Sequence, residues 1–315
     1  MPILITGGTG FVGNYLVQLL TQRGHSIAII SSGIVSQEEP GVQYYEADVR
    51  DRDRVQGIVK EVNPAQVYHL AGVTAVDASW ANPRMTYEVN FWGACNAFEA
   101  AMRLASPPII LNVSTSQVYA QSTEKLSESS PLAPDNPYST SKAMAELLRI
   151  EFKNCSAGGI VTARPFNHSG PGQTPNFVLP SMAKQFAEIE LGLRPPKLIL
   201  GNTRVKRDFT DVRDVVEAYA LLLDQGRVGE TYNVCSGTSV RLSEIIKMFE
   251  AASGTEVEVE VDVSKIRPNE TVDICGDPGK ISEIGWSPKI PLQKTIADLL
   301  DYWRSVLREA RSAAC

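Results

Sequence analysis

The fold is decided by the first stretch of the chain, Ile3-Leu4-Ile5-Thr6-Gly7-Gly8-Thr9-Gly10-Phe11-Val12-Gly13. An apolar run ends in a glycine cluster, and an amphipathic segment follows from Tyr15 to Arg23. This pattern predicts a strand, a tight turn and a helix. Gly7, Gly10 and Gly13 are spaced three residues apart, and glycines allow a backbone to approach a diphosphate at a helix N-terminus. A glycine fingerprint alone can be a merely structural turn, so its place between strand and helix is what favours dinucleotide binding.

The composition limits the class of protein. The chain has 315 residues, a formal net charge of −6 and 43% hydrophobic residues, enough for a core in one large or two smaller domains. The acidic balance argues against nucleic-acid binding, and no apolar run is long enough to cross a membrane. The predicted strand starts at residue 3, so no signal peptide is visible. Five widely separated cysteines indicate reduced thiols in a cytoplasmic protein without a metal site.

Strands and helices alternate along the first half of the chain. Further strands are predicted at 26–30, 42–48, 66–72 and 108–113, and helices at 52–62, 87–104 and 138–152. Such alternation requires right-handed crossovers and predicts an α/β fold with a doubly wound parallel sheet of the Rossmann type. Ligands of such sheets bind at the carboxyl ends of the strands.

The residues at those carboxyl ends indicate how a dinucleotide would be bound. The second strand ends in Ser31 and Ser32 rather than in an acid, which leaves room for a 2′-phosphate and favours NADP(H). No arginine is close in sequence, so NAD(H) stays open. Asp48 either accepts a hydrogen bond from adenine or caps the helix that begins at Arg52. The cofactor-binding residues predicted from these strand ends and the glycine loop are Gly7, Gly10, Phe11, Val12, Gly13, Ser31, Ser32, Asp48, Val49, Leu70, Ala71 and Gly72.

A second group of polar residues suggests proton chemistry. Strand 108–113 leads into Ser114-Thr115-Ser116-Gln117, whose hydroxyls would point into the ligand crevice. Tyr138 and Lys142 stand four residues apart, so both lie on one face of a predicted helix. An ammonium beside a phenol lowers the phenol's pKa from about 10, which lets the tyrosine exchange a proton near neutral pH. Tyr-x-x-x-Lys also occurs by chance on helix surfaces, and the other motifs are what make it a catalytic candidate.

Together these motifs resemble the extended short-chain dehydrogenase/reductase family, in the branch that acts on nucleotide sugars, over essentially the whole chain. The resemblance implies that Tyr138 is the acid/base and that Lys142 holds the nicotinamide ribose and tunes the tyrosine. Thr115, together with Ser116, would polarise the reacting oxygen. Asn90 and Phe166 join Tyr138 and Lys142 in the cofactor-binding set, with a core or capping role for Asn90 left open.

The second half of the chain resembles the GDP-mannose-modifying members of that family. Segment 164–172 resembles their link between cofactor and sugar sites, 207–214 their diphosphate-binding stretch, and 267–270 their Arg-Pro-x-Glu motif. Arginines offer bidentate donors for phosphate oxygens, and surface salt bridges are the alternative role for each of them. The substrate-binding residues that the resemblance implies are Thr74, Thr115, Gln117, Asn167, Asn176, Lys184, Arg207, Arg267 and Glu270.

Gln117 departs from the dehydratase pattern, in which a glutamate removes the C5 proton during water elimination. An amide cannot take up that proton, so we expect reduction instead. The expected activity is NAD(P)H-dependent reduction of the C4 ketone of GDP-4-keto-6-deoxy-D-mannose to GDP-D-rhamnose. Two alternatives remain: a nucleotide-sugar 4-epimerase that retains its cofactor, and a non-catalytic dinucleotide sensor. The sequence leaves open which face of C4 receives hydride.

A smaller mixed α/β domain is expected to cover the carboxyl edge of the sheet. Its predicted elements are helices 176–191, 242–252 and 292–311 and strands 197–200 and 257–261, while strand 232–234 returns to the first sheet. The dinucleotide-binding domain is therefore predicted at 1–165 with about 208–237, and the nucleotide-sugar-binding domain at 166–207 and 238–315. The resemblance also implies a homodimer that packs through helices 87–104 and 138–152.

Overall fold

The computed structural model describes residues 2–33, 39–152, 158–266 and 271–313. The strands in this part of the chain are β1 (Ile3–Thr6), β2 (Ile27–Ser31), β3 (Val42–Glu46), β4 (Gln66–His69), β5 (Ile109–Val113), β6 (Gly159–Pro165), β7 (Asn167–Ser169), β8 (Lys197–Leu200), β9 (Lys206–Asp211), β10 (Thr231–Val234), β11 (Ser239–Arg241), β12 (Glu258–Val261) and β13 (Asp273–Ile274). The α-helices are α1 (Phe11–Gln22), α2 (Arg52–Val62), α3 (Val76–Ala81), α4 (Pro83–Tyr87), α5 (Gly93–Met102), α6 (Pro137–Leu147), α7 (Val178–Glu190), α8 (Val212–Gln225), α9 (Leu242–Ser253), α10 (Gly279–Glu283) and α11 (Leu292–Ala313).

Seven of these strands form one parallel sheet in the order β10-β6-β5-β4-β1-β2-β3. Alternate residues of β1 enter opposite cores: Ile3 and Ile5 pack with residues of α1 and α8, and Leu4 packs with residues of α2, α5 and α6. Helices thus cover both faces, which explains why the strands are nearly continuous apolar runs. The predicted doubly wound parallel sheet is confirmed. Its strand order reverses between β1 and β4, where a ligand crevice is expected.

Several predicted boundaries were wrong by a few residues. Helix α1 begins at Phe11 rather than Tyr15, because Gly10 is its N-cap and the glycine loop runs directly into the helix. The predicted helix at 87–104 is part of a longer helical run, in which a π-helical turn at Glu88–Trp92 joins α4 to α5. Strand β4 ends at His69 instead of residue 72, so the small residues after it belong to a loop.

A second hydrophobic core lies between α7, α9 and α11. It includes Phe186, whose ring stacks on that of Phe249, and Trp303 of α11. Strand β9 pairs with β7, β11 and β13, and β8 pairs with β12. This arrangement agrees with a smaller mixed α/β layer, whereas the exact domain boundaries stay a prediction.

Two kinds of feature are absent from the described ranges. No helix there is long and apolar enough to cross a membrane. The same residues contain no group of three or more His, Cys, Asp or Glu side chains placed to hold a metal ion.

Candidate active site

A cavity of about 820 Å³ opens at the carboxyl ends of the large sheet, beside the reversal of strand order. All but one of the predicted cofactor-binding residues line it; Asn90 is the exception. Its walls also include the loop between β7 and α7 and the first turn of α7. The size and the mixed lining suit a dinucleotide together with part of a second ligand.

The glycine loop forms the floor of this cavity. Gly7 has φ +71°, and a Cβ there would lie 2.7 Å from the Ala71 backbone nitrogen. A Cβ on Gly13 would lie 2.5 Å from the Gly8 carbonyl oxygen, so both positions require glycine. Gly10 caps α1 without a side-chain hydrogen bond, and the first N–H groups of a helix have no intrahelical acceptors. These donors and the helix dipole fit a cofactor diphosphate.

The end of β2 is rich in hydroxyls, as the sequence indicated. The Ser31 hydroxyl lies 2.6 Å from that of Thr9 and accepts a hydrogen bond from the Gly33 N–H at 3.2 Å. Ser31, Ser32 and Gly33 all line the cavity.

Asp48 does not cap α2. The helix is capped by Asp51, whose carboxylate accepts from the Arg54 N–H at 3.1 Å, so the capping alternative for Asp48 was wrong. Asp48 instead binds the guanidinium of Arg50, which lowers the pKa of its carboxyl. Arg50, which is distant in sequence from Ser31 and Ser32, also lines the cavity. The turn after β3 brings it back toward the cavity.

Tyr138 and Lys142 occupy the first turns of α6, which starts with a capping box between Asn136 and Ser139. Tyr138, Thr115, Ser116 and Lys142 all line the cavity. The Lys142 ammonium donates to the Val113 carbonyl oxygen at 2.9 Å. The four residues predicted to be catalytic are therefore brought together at one cavity.

The expectation of an acidified phenol was wrong for the ligand-free protein. Burial raises the pKa of Tyr138, and only the hydrogen bond with Thr115 opposes that shift. Burial also lowers the pKa of Lys142 to about 8. Desolvation disfavours the charged form of each group, and the lysine's first hydrogen bond goes to a backbone carbonyl instead of to the phenol.

Asn90 has a core role. Its side chain accepts from the Val73 N–H at 2.7 Å and donates to the Val73 carbonyl at 3.0 Å and to the Ser141 hydroxyl at 2.9 Å. It is buried in the π-helical turn and ties the loop after β4 to α6. Asn90 thus shapes the cavity wall without lining the cavity.

The predicted substrate-binding residues divide into three groups. Those that line the cavity are Thr74, Thr115, Gln117 and Asn167. Three others do not line it: Asn176 is exposed before α7, Lys184 pairs with Glu188 at 3.8 Å, and Arg207 donates to the carbonyl oxygens of Lys206 and Thr271. Arg267 and Glu270 lie outside the described residues.

Sequence reasoning missed several residues of the cavity wall. His168 stacks on Phe11 with 6.4 Å between ring centroids, and its Nδ1 lies 3.0 Å from the Phe166 carbonyl oxygen. Its position in segment 164–172 could have signalled it. Phe177 and Tyr219 also line the wall, and Tyr219 comes from α8, where no local pattern marks it.

Comparison with known proteins agrees with this geometry. The family model described as GDP-mannose 4,6 dehydratase matches residues 4–299. The chain is 32% identical to GDP-6-deoxy-D-mannose reductase of Pseudomonas aeruginosa over 98% of each protein. The structure of RMD from Pseudomonas aeruginosa complexed with NADPH has a TM-score of 0.82 and 31% identity, covering 97% of this chain and 100% of that one. The UDP-glucose 4-epimerase of Thermus thermophilus in complex with NAD has a TM-score of 0.84 and 30% identity, covering 96% and 99%.

Proposed function

The chain belongs to the GDP-mannose 4,6 dehydratase family, and on that premise we propose that it is an NAD(P)H-dependent reductase of a GDP-4-keto-6-deoxyhexose. The preferred substrate is GDP-4-keto-6-deoxy-D-mannose and the product GDP-D-rhamnose. One observation carries this proposal: Gln117 lines the same cavity as Thr115 and Tyr138, and its backbone N–H donates to the Thr115 hydroxyl at 3.2 Å. An amide there supplies no base for water elimination, while the groups needed for carbonyl reduction are present.

NADP(H) is the proposed cofactor, with NAD(H) as the second. The similar structures were determined with NADPH and with NAD. The N-terminus of α1 would hold the diphosphate, the turn at Ser31 and Ser32 the adenosine ribose, and Lys142 the nicotinamide ribose. When bound, the reduced nicotinamide supplies the hydride for C4 of the sugar.

Residues of this chain would supply the proton that the C4 oxygen takes up during reduction. The raised pKa of Tyr138 keeps its hydroxyl protonated at neutral pH, which suits a proton donor to the C4 oxygen. The Thr115 hydroxyl would hydrogen-bond the same oxygen and favour the charge that develops on it. Lys142, with a pKa of about 8, is charged at pH 7 and would stabilise the phenolate once the proton has left.

The sugar nucleotide would occupy the other end of the cavity. Thr74, Gln117 and Asn167 line this end and offer hydrogen bonds to sugar hydroxyls. Arg207 and Lys184, with Asn176, Arg267 and Glu270, stay proposals for the nucleotide diphosphate and ribose. Arg207 would have to leave its two carbonyl acceptors to reach a phosphate.

A homodimer forms part of this proposal. Three large apolar side chains are exposed on the two helical segments predicted to pair: Trp92 at 58%, Leu147 at 58% and Ile150 at 62%. Exposed apolar groups of this size mark interaction surfaces when they cluster. Sedimentation equilibrium should show a dimer, and Leu147→Glu should shift it toward monomer.

The test of function offers GDP-4-keto-6-deoxy-D-mannose with NADPH or NADH, follows absorbance at 340 nm and identifies the product by NMR. A reductase consumes one cofactor per product, and the spectrum distinguishes GDP-D-rhamnose from its C4 epimer. A nucleotide-sugar 4-epimerase would instead retain bound NAD through purification and show no net consumption. A sensor would bind cofactor without turnover. Either of these last results would replace the reductase proposal.

A further inference from the structure

A buried ion pair lies behind the catalytic helix. Arg164 of β6 and Glu146 of α6 are only 4% and 2% exposed. The guanidinium makes two hydrogen bonds to the carboxylate, Nε to Oε1 at 2.9 Å and Nη2 to Oε2 at 2.6 Å. The Ser114 hydroxyl donates to the same Oε1 at 2.5 Å. The carboxylate is thus held on both oxygens.

This network touches both elements that carry the catalytic groups. Glu146 stands one helical turn beyond Lys142 and two beyond Tyr138 on α6. Ser114 directly precedes Thr115 at the end of β5. Arg164 comes from the neighbouring strand, and its guanidinium also lies 4.7 Å from the centre of the Tyr119 ring. One ion pair therefore fixes α6 against the strand ends that present Thr115.

The spacing of Lys142 and Glu146 creates a competition. Side chains four residues apart on a helix are neighbours, and a lysine and a glutamate at that spacing normally attract each other. Here the ammonium donates to the Val113 carbonyl at 2.9 Å, on the cavity side. A Cβ added to cavity-lining Gly72 would lie 3.4 Å from this ammonium. The carboxylate is already occupied by Arg164 and Ser114.

We propose that Arg164 is a positioning residue of the reductase proposed above: by occupying Glu146, it leaves the Lys142 ammonium directed into the cavity. Without the guanidinium, Glu146 is a buried carboxylate with Lys142 one helical turn before it, while the Arg149 guanidinium binds the Glu146 backbone carbonyl at 3.0 Å. The ammonium then turns away from Val113 and from the place of the nicotinamide ribose. Stability alone does not explain the pair, because a buried ion pair can often be replaced by apolar residues at little cost.

The decisive variants are Arg164→Met and the double variant Arg164→Met with Glu146→Gln. The single variant leaves the carboxylate uncompensated, and the double variant removes its charge while keeping an acceptor for Ser114. The control is Arg304→Met, since Arg304 holds Glu190 with two hydrogen bonds of 2.7 and 2.5 Å at the partly exposed contact of α11 with α7, away from α6. If Arg164→Met does not fold, Arg164→Gln replaces it in the same measurements, because its amide can keep one hydrogen bond to Glu146.

Crystal structures and NADPH affinity give readouts that need no turnover. In Arg164→Met, the Lys142 ammonium should lie within hydrogen-bond distance of Glu146, and the Kd for NADPH should rise about tenfold or more. The double variant should restore the contact with Val113 and bring the Kd to within about threefold of wild type, as should the control. If Lys142 stays on Val113 and the Kd is unchanged in Arg164→Met, or the double variant does not recover, the proposal is wrong.

The pH profile supplies a further readout that a merely structural role would not move. The titratable and charged groups around the pair Tyr138 and Lys142 are His69 on β4, Tyr219 on α8, Glu146 and Arg164. In Arg164→Met the ammonium that would stabilise the phenolate is drawn to Glu146, so the pH at which the Tyr138 phenol ionises in the pH–rate profile should rise. It should return to the wild-type value in the double variant. The crystal structures and NADPH affinities of the variants test the positioning role of Arg164 even if the protein is not a reductase.

Discussion

The two ends of the cavity are built differently. At the end proposed for the cofactor, the floor is the glycine loop, which packs so closely that a Cβ at Gly7 would lie 2.7 Å from the Ala71 backbone nitrogen in the loop after β4. At the end proposed for the sugar nucleotide, the wall includes side chains of β7 and of the start of α7, such as Asn167 and Phe177. Two cations proposed for the nucleotide, Lys184 and Arg207, bind protein groups elsewhere. Under the proposed function, the cofactor end is thus preformed, whereas Lys184 and Arg207 would have to reorient to reach the nucleotide.

This difference predicts where substitutions should matter most. Changes to the preformed end, or to the catalytic groups between the ends, should have large effects. Changes to the cations proposed for the sugar nucleotide should have smaller effects, because in the free protein Lys184 pairs with Glu188 and Arg207 donates to two carbonyl oxygens.

The largest effect on kcat is expected for Tyr138→Phe, which removes the hydroxyl of the proposed proton donor. Its kcat should fall by about 10²–10⁴, the usual contribution of general acid catalysis. The Kd for NADPH, measured by fluorescence titration, should stay within about twofold because the ring remains. A variant with normal kcat would remove Tyr138 from the role of proton donor.

Gly7→Ala should weaken cofactor binding. The methyl group meets Ala71 and the backbone is held at φ +71°, so we expect at least a tenfold rise in the Kd for NADPH. The loss of unfolding free energy should be about 2–4 kcal/mol, from overpacking and backbone strain together.

Gly24→Ala is the matched control for that prediction. Gly24 has φ +79°, but a Cβ there meets nothing within 4 Å. The free energy of unfolding of Gly24→Ala should fall by only about 1–2 kcal/mol, because alanine is strained in the left-handed conformation. Its NADPH affinity should be unchanged. Equal effects of the two substitutions would show that strain, not the close approach of the glycine loop, determines the result.

Lys142→Met should make the ligand-free protein more stable while it lowers kcat. Burial lowers the pKa of Lys142 from 10.5 to about 8, so the charged amine costs about 3 kcal/mol at pH 7. We therefore expect the ligand-free variant to be more stable at pH 7 despite losing the bond to Val113, while its kcat falls sharply. Urea unfolding at several pH values measures this.

The sign of the pH dependence follows from the direction of that shift. Between about pH 8 and 10.5 the unfolded chain binds more protons at this lysine than the folded one, so the wild-type protein gains stability as pH rises. The advantage of Lys142→Met should shrink through this window. A constant difference from pH 7 to 10.5 would mean that the amine titrates normally.

The smallest effect is expected at the sugar end, for Arg207→Gln. We expect about a tenfold rise in the KM for the GDP-sugar with little change in kcat and none in the Kd for NADPH. Arg204→Gln, at an exposed position nearby, is the control and should change neither. An equal rise in both variants would indicate a general charge effect instead of a specific phosphate contact.

The same contrast explains what could be predicted from sequence. Topology brings the ends of parallel strands together, so the glycine loop, Ser31 and Thr115 followed from their order along the chain. Side chains that reach the cavity from distant helices, such as Tyr219, leave no local pattern. Asp48 had two plausible partners in sequence, and only the fold shows that Asp51 caps α2 while Asp48 holds Arg50.

The ionisation of the catalytic pair was the least predictable property. The spacing of Tyr138 and Lys142 correctly indicated a shared helix face, yet it says nothing about burial or competing acceptors. Desolvation and the Val113 carbonyl determine the state of these groups in the ligand-free protein. Both depend on tertiary packing.

The most direct measurement of the central claim follows a deuterium atom. GDP-4-keto-6-deoxy-D-mannose is incubated with NADPH carrying deuterium at both C4 positions of the nicotinamide, and the product is examined by NMR. The account predicts one deuterium at C4 of the sugar with the wild-type protein and almost no product with Tyr138→Phe. A product with protium at C4 and the cofactor recovered unchanged would contradict it.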